Sequence, residues 1–129
     1  MIHEEICTYE VAKLAKEKGF RERCIEHYYD DTKDLYRSSI TQCYNFGGNT
    51  SAAPTQSLLQ RWLREEKNIQ IVIRPKLDKL GAWIWGHYRW TIFIFNEYRP
   101  TYYSIYNGDN STYELALEDA LKNALENLV

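Results

Sequence analysis

The 129-residue sequence predicts an α+β fold: a mainly antiparallel sheet packed by three helices, in the order helix, β-hairpin, helix, three or four strands, helix. One domain spanning residues 1–129 is expected, because a chain of this length can close one core and is too short for two. Three observations carry this. Apolar residues recur at three- and four-residue steps in three separate segments. From Ile69 to Tyr106 the period falls to two or less and the residues become β-branched and aromatic. Thr, Asn, Gly and Pro stand where the ends of those segments need them.

Between Thr8 and Gly19, Val11, Ala12, Leu14 and Ala15 share one helical face, and Lys13, Lys16, Glu17 and Lys18 fall on the polar side. Thr8 offers an N-cap oxygen, and Gly19 followed by Phe20 fits a left-handed stop with Phe20 packed back on the last turn. CIEHYY and LYRSSITQCYNF flank the polar DDTKD, which reads as a hairpin whose turn holds Asp30, Asp31 and Asp34 in solvent. GGNTSA reads as a flexible connector, and Pro54 has the φ that a first helical residue needs. In the second helix Leu58, Leu59, Trp62 and Leu63 form the buried stripe, Arg61 and Glu65 have ion-pair spacing, and Asn68 suits the stop. Four β-prone runs follow, IQIVI, AWIWGHY, WTIFIF and TYYSIY, with Pro75 and Gly81 around the first connection and NGDN closing the sheet. Ser111 and Glu114 have capping-box spacing. Tyr113, Ala116, Leu117, Ala120, Leu121, Ala124, Leu125 and Leu128 then line one face of the last helix, which must lie on the sheet.

Charge and cysteine usage narrow the function classes. A formal charge of -2 gives no global field that would draw the chain to nucleic acid or to an anionic membrane, although a local basic patch is compatible with it. GAWIWGHYRWTIFIF is interrupted by His87 and Arg89 and is too short for a membrane helix, so no membrane association is expected. The acidic N-terminus lacks the basic and apolar regions of a signal peptide, and three cysteines are an odd number for a disulfide framework, so a cytoplasmic location is expected.

The combination of APTQSLLQRWLREEKNI, the preceding CIEHYYDDTKDLY and the closing STYELALEDALKNAL resembles a family of small uncharacterised proteins from phages and mobile elements of gut bacteria. The family pattern is a VAKLAKEKGF-like helix, a hairpin, an APTQ-initiated helix with a WLRE core, a sheet of variable length and a YEEAL-type closing helix. The resemblance covers most of the chain and is most specific in APTQSLLQRWLRE. It implies a fold organisation and a genomic setting, and brings with it no activity and no site.

No catalytic set, cofactor or metal is expected. Cys24 and His27 form a C-x-x-H pair that Cys43 could join, but a structural zinc site wants four ligands, usually from two such pairs. Cys7, near the start of the first helix, is the least poor nucleophile, without a recognisable base or signature beside it. Gly47-Gly48 lacks the context of a phosphate loop, and Glu4 and Glu5 are neighbours rather than an opposed acid and base.

The unusual feature is aromatic content, with eleven Tyr, four Trp and four Phe concentrated in the sheet. Much of it must fill the face beneath the helices. Alternation sends Trp83, Trp85 and His87 to one side and Ile84 and Tyr88 to the other, so neither face can be purely polar. Trp83, Trp85, Tyr88, Arg89 and Trp90 are therefore the expected partner surface of a non-enzymatic interaction protein, through self-association or a foreign protein. The alternative is nucleic-acid binding on an aromatic sheet face through Arg89 and Arg99, with an undescribed enzyme third. A neutral apolar patch favours the first, a basic aromatic face the second, and a deep pocket with convergent polar groups the third.

Overall fold

The computed structural model describes residues 2–42, 45, 48–96 and 99–129, with the side chains of 39–42, 96 and 99–107 outside the description. In chain order the elements are α1 (Tyr9–Glu17), β1 (Cys24–Tyr29), β2 (Leu35–Gln42), β3 (Thr50–Ala52), α2 (Gln56–Lys67), β4 (Ile69–Leu77), β5 (Trp83–Asn96), β6 (Arg99–Asn110) and α3 (Tyr113–Asn127). They form two three-stranded antiparallel sheets, ordered β2-β1-β3 and β4-β5-β6. The α+β class and the element order are those the sequence predicts.

Three boundaries differ. The connector GGNTSA ends in β3, because Ser51 and Ala52 are fully buried and their backbone needs partners. Pairing with β1 supplies one side, and Asn45 Oδ1 accepts the Ala52 N–H at 2.8 Å on the other, while Asn45 Nδ2 donates to the Phe20 carbonyl at 2.9 Å. AWIWGHY and WTIFIF are one strand, β5, interrupted only by an irregularity across which Pro75 pairs with Tyr88 and Leu77 with Trp83. Gly86 takes φ 78 inside that irregularity, a left-handed value that favours glycine. NGDN does not end the sheet, since β6 runs on to Asn110.

The starts of α2 and α3 lie later than the sequence suggests, by two residues and by one. Thr55 Oγ1 accepts the Leu58 N–H at 3.1 Å, so Pro54 precedes the cap and its carbonyl instead accepts the Cys7 N–H at 3.0 Å. Thr112, not Ser111, caps α3 by accepting from Leu115 at 3.1 Å. Thr8 and Asn68 cap α1 and α2 as predicted, with Asn68 at φ 57. Phe20 N–H donates to Ala15 at 2.9 Å, the six-residue closure that lets Phe20 fold back on α1.

The core is built on α3. Ala116, Ala120 and Ala124 let the helix approach closely, and Leu117, Leu121 and Leu125 fill the space against Ile69 and Ile71 of β4 and Trp90 and Ile92 of β5. Trp62 and Leu63 are buried, Trp62 meeting Phe20 edge to face at 5.4 Å, and the Arg61–Glu65 pair forms at 2.9 Å on the wet side. Gln56, the last residue of APTQ, donates to Glu118 Oε2 at 2.8 Å and to the Glu114 carbonyl at 3.0 Å. Glu118 Oε1 also accepts the Thr8 N–H at 2.7 Å, so one carboxylate ties the starts of α1 and α2 to α3. The most specific stretch of the sequence is thus explained by packing and by this junction.

The solvated turn expected around Asp30 is corrected at that residue. Its carboxylate accepts from Ser51 Oγ at 2.6 Å, Lys16 Nζ at 3.3 Å and Lys13 Nζ at 3.4 Å, and its side chain is 16% exposed. Burial alone would raise its pKa, but the Ser51 hydroxyl and the two ammonium groups outweigh it and hold the carboxyl below its ordinary value. A group lowered in the folded state stabilises above the unfolded pKa, near 3.9, and loses that contribution as pH falls through the folded value. Asp30→Asn is expected to cost about 1–2 kcal/mol at pH 7 and progressively less below pH ~4, measured by urea denaturation across pH. An equal cost at pH 7 and pH 3 would contradict the charge-based role.

Candidate interaction surface

The five residues expected to form one surface are divided by β5. Trp90 is 4% exposed, and its indole N–H donates to Asp119 Oδ2 at 3.0 Å. It belongs to the core, a correction to its place on the partner surface. From Tyr88 onward alternation is regular: Tyr88, Trp90, Ile92 and Ile94 share the helix side, while Arg89, Thr91 and Phe93 share the other. Arg89 is exposed on that second face, away from the tryptophans it was grouped with.

Before Tyr88 the irregularity changes the parity. Trp83 and Tyr88, expected on opposite sides, touch edge to face at 6.2 Å, and Trp85 lies against Trp83 at 4.7 Å. Tyr88 in turn meets Tyr113, the first residue of α3, at 6.1 Å. The last pairing between β5 and β6 is Tyr88 with Asn110, so beyond it β4 and β5 continue as a two-stranded arm without β6 alongside. The helix-side face of the sheet therefore runs outward past the start of α3. Its apolar side chains stay in water there, with Trp83 at 45% exposure and Trp85 at 80%.

The tip of the arm is ordered by its own hydrogen bonds. Asp78 Oδ1 accepts the N–H groups of Leu80 and Ala82 at 2.8 and 2.9 Å, and the Asp78 N–H donates to the Ala82 carbonyl at 2.8 Å. This turn displays Leu80 at 95% exposure, with Leu77 half-exposed beside the tryptophans. Sequence reasoning missed Leu77, Leu80 and Tyr113. The available signal was Leu80 itself, a large apolar residue inside a turn where solvation favours polar ones. Tyr113, placed on the buried stripe of α3, is 44% exposed because that helix starts where the covered part of the sheet stops.

The arm beyond the Tyr88–Asn110 pair holds Lys76 and Lys79 against the carboxylate of Asp78, and Lys76 is itself paired with Asp109 of β6 at 2.9 Å.

Elsewhere, Cys24 and His27 are both buried, with His27 stacked on Tyr36 at 5.6 Å. Cys43, Gly47 and the side chain of Arg99 lie outside the described residues. Among the described residues no three His, Cys, Asp or Glu side chains gather as metal ligands. Burial, reinforced by Glu118, Cys24 and Glu5, raises the Cys7 thiol well above its ordinary pKa, the opposite of what a nucleophile requires. A cleft of about 300 Å³ lies between β1 and the start of α2, floored by Cys24, Pro54 and Leu58. Its charges, Glu4 and Glu26 with Arg23 and Arg37, balance.

No protein-family model, curated protein or solved structure matches the chain. No helix among the described residues is long and apolar enough to cross a membrane.

Proposed function

We propose that the protein is a non-enzymatic interaction module, an accessory protein of a phage or mobile element, whose β4–β5 arm holds a foreign protein. The observation that carries this is the pair Trp83 and Trp85, packed against each other at 4.7 Å with their rings tilted and exposed on an arm that its own turn keeps ordered. A hot spot needs aromatic anchors on a pre-organised support, and tryptophan is among the residues most enriched there. The charge of the arm selects the occupant. Lys79 is exposed in the turn, whereas Lys76 is held by Asp109 at 2.9 Å, so a foreign partner with an apolar stripe edged by carboxylates complements both features of the arm.

The test begins with capture from the host and continues with the purified partner. Trp83→Ser with Trp85→Ser should weaken binding at least 30-fold, as loss of a hot spot does, and the partner's contact surface should be acidic and apolar. Unchanged affinity would overturn the proposal. So would a wild-type dimer that the same two substitutions dissociate, since the second copy would then be the occupant.

A further inference from the structure

The cleft of about 300 Å³ beside β1 is opened by two departures from regular strand pairing. On one side β2 runs from Gln42 to Arg37 while β1 advances only from Cys24 to Glu26, and a strand carrying extra residues bows from its partner and re-aims its side chains. On the other, the Ala53 N–H donates to the Glu26 carbonyl at 2.9 Å, but the following groups turn to the N-terminal segment. There the Pro54 carbonyl accepts from Cys7 at 3.0 Å and the Gln56 N–H donates to Glu5 at 2.8 Å. A wedge is left between the start of β1 and the start of α2.

The floor of this wedge is apolar and its rim is charged. Cys24, Ala53 and Pro54 are buried beneath it, and Leu58 and Ile25 add apolar walls, Ile25 with 41% of its surface in water. Arg23 and Arg37 line it as exposed cations, with Glu26 half-buried between the strands. Glu26 and Arg37 are direct cross-strand partners that do not close on each other. Among the described residues neither of them, nor Arg23, makes a side-chain hydrogen bond or an ion pair.

These groups define the chemistry of an occupant. A volume of about 300 Å³ is at the lower end for small-molecule sites, which favours a ligand smaller than a drug-sized one. A polyanion would gain from the two arginines and lose to Glu4 and Glu26, and a peptide threaded through the cleft would bring no charged end to either set. A free α-amino acid with a bulky apolar side chain matches all three features. It has a carboxylate for the guanidinium groups, an ammonium group for the free glutamate and a side chain for the floor.

We infer that this cleft binds a free apolar α-amino acid, with Arg23 and Arg37 holding its carboxylate, Glu26 its ammonium group, and Ile25 and Leu58 its side chain. The site is built on the first sheet and does not rest on the partner proposed for the β4–β5 arm.

The experiment is a titration of the intact, isotope-labelled chain with L-leucine and L-phenylalanine, followed by backbone amide shifts. Saturable shifts at Cys24, Ile25, Ala53 and Leu58 are expected, with a dissociation constant of about 1 mM or below, a modest value for so small a ligand. Leucinamide, which lacks the carboxylate, and N-acetyl-leucine, which lacks the ammonium group, should each bind roughly tenfold more weakly, the cost of one charge-assisted contact. Arg23→Gln with Arg37→Gln should erase the preference for leucine over leucinamide, and Glu26→Gln the preference over N-acetyl-leucine. Both variants should keep the urea midpoint, because none of the three groups has a partner to lose. Trp83→Ser with Trp85→Ser should leave the leucine titration unchanged. Absence of saturable shifts with both amino acids up to roughly 10 mM would overturn the inference. So would equal affinity for leucine and its two blocked forms, which would make the cleft an apolar crevice, or loss of binding in the tryptophan pair, which would place the ligand on the arm.

Discussion

Trp90→Ala is expected to cost about 3–5 kcal/mol, measured as the loss in unfolding free energy by urea denaturation. The indole is a central piece of the core, 4% exposed, and it pins β5 to α3 through its bond to Asp119. It also lies directly on Gly108, its partner in β6, where any Cβ would run into the ring. Gly108→Ala should therefore cost about 1–3 kcal/mol by overpacking, because neither the buried indole nor the strand backbone has room to give. These costs should not add. Removing the ring takes away the three atoms nearest the new methyl, so the double variant should be more stable than the sum of the two losses implies. An unchanged midpoint for Trp90→Ala would place the indole in solvent and restore it to the partner surface.

The second large effect is at Trp62. Trp62→Ala should also cost about 3–5 kcal/mol by the same measurement, a substantial part of the 5–15 kcal/mol that holds a domain folded. The ring is 7% exposed, set edge to face against Phe20, with Lys67 Nζ 5.3 Å from its centroid. Phe20 is itself fully buried and anchors the stop of α1, so Trp62 joins α2 to the first helix. An unchanged midpoint would mean that the WLRE segment faces solvent and that its role is recognition.

What could be read in the sequence follows from which interactions are local. The stripes of α1, α2 and α3, the caps at Thr8 and Asn68, and the Arg61–Glu65 pair depend on residues a few positions apart, and periodicity with capping chemistry was enough for them. Asp30 was misread as a solvated turn because its partners, Lys16 and Ser51, come from elements that only the fold brings beside it. The short β3 was hidden for the same reason, since its burial depends on β1 and Asn45 rather than on its own composition.

The surface was half legible. An excess of aromatics pointed to the region from Trp83 to Trp90, but strict alternation could not anticipate the irregularity at Gly86. That single feature moved Trp83 to the side of Tyr88, while Trp90 and Arg89 went to the core and to the opposite face. The arm's exposure also required knowing where β6 and α3 stop, which residue patterns do not encode at one-residue accuracy.

The division of the three tryptophans of β5 between core and partner is tested most directly by urea unfolding of the chain carrying both Trp83→Ser and Trp85→Ser, beside wild type. Two side chains displayed for a partner predict a loss below about 1 kcal/mol, as for ordinary surface substitutions. A loss of about 3 kcal/mol or more would place both rings in the core and leave the arm without a surface to offer.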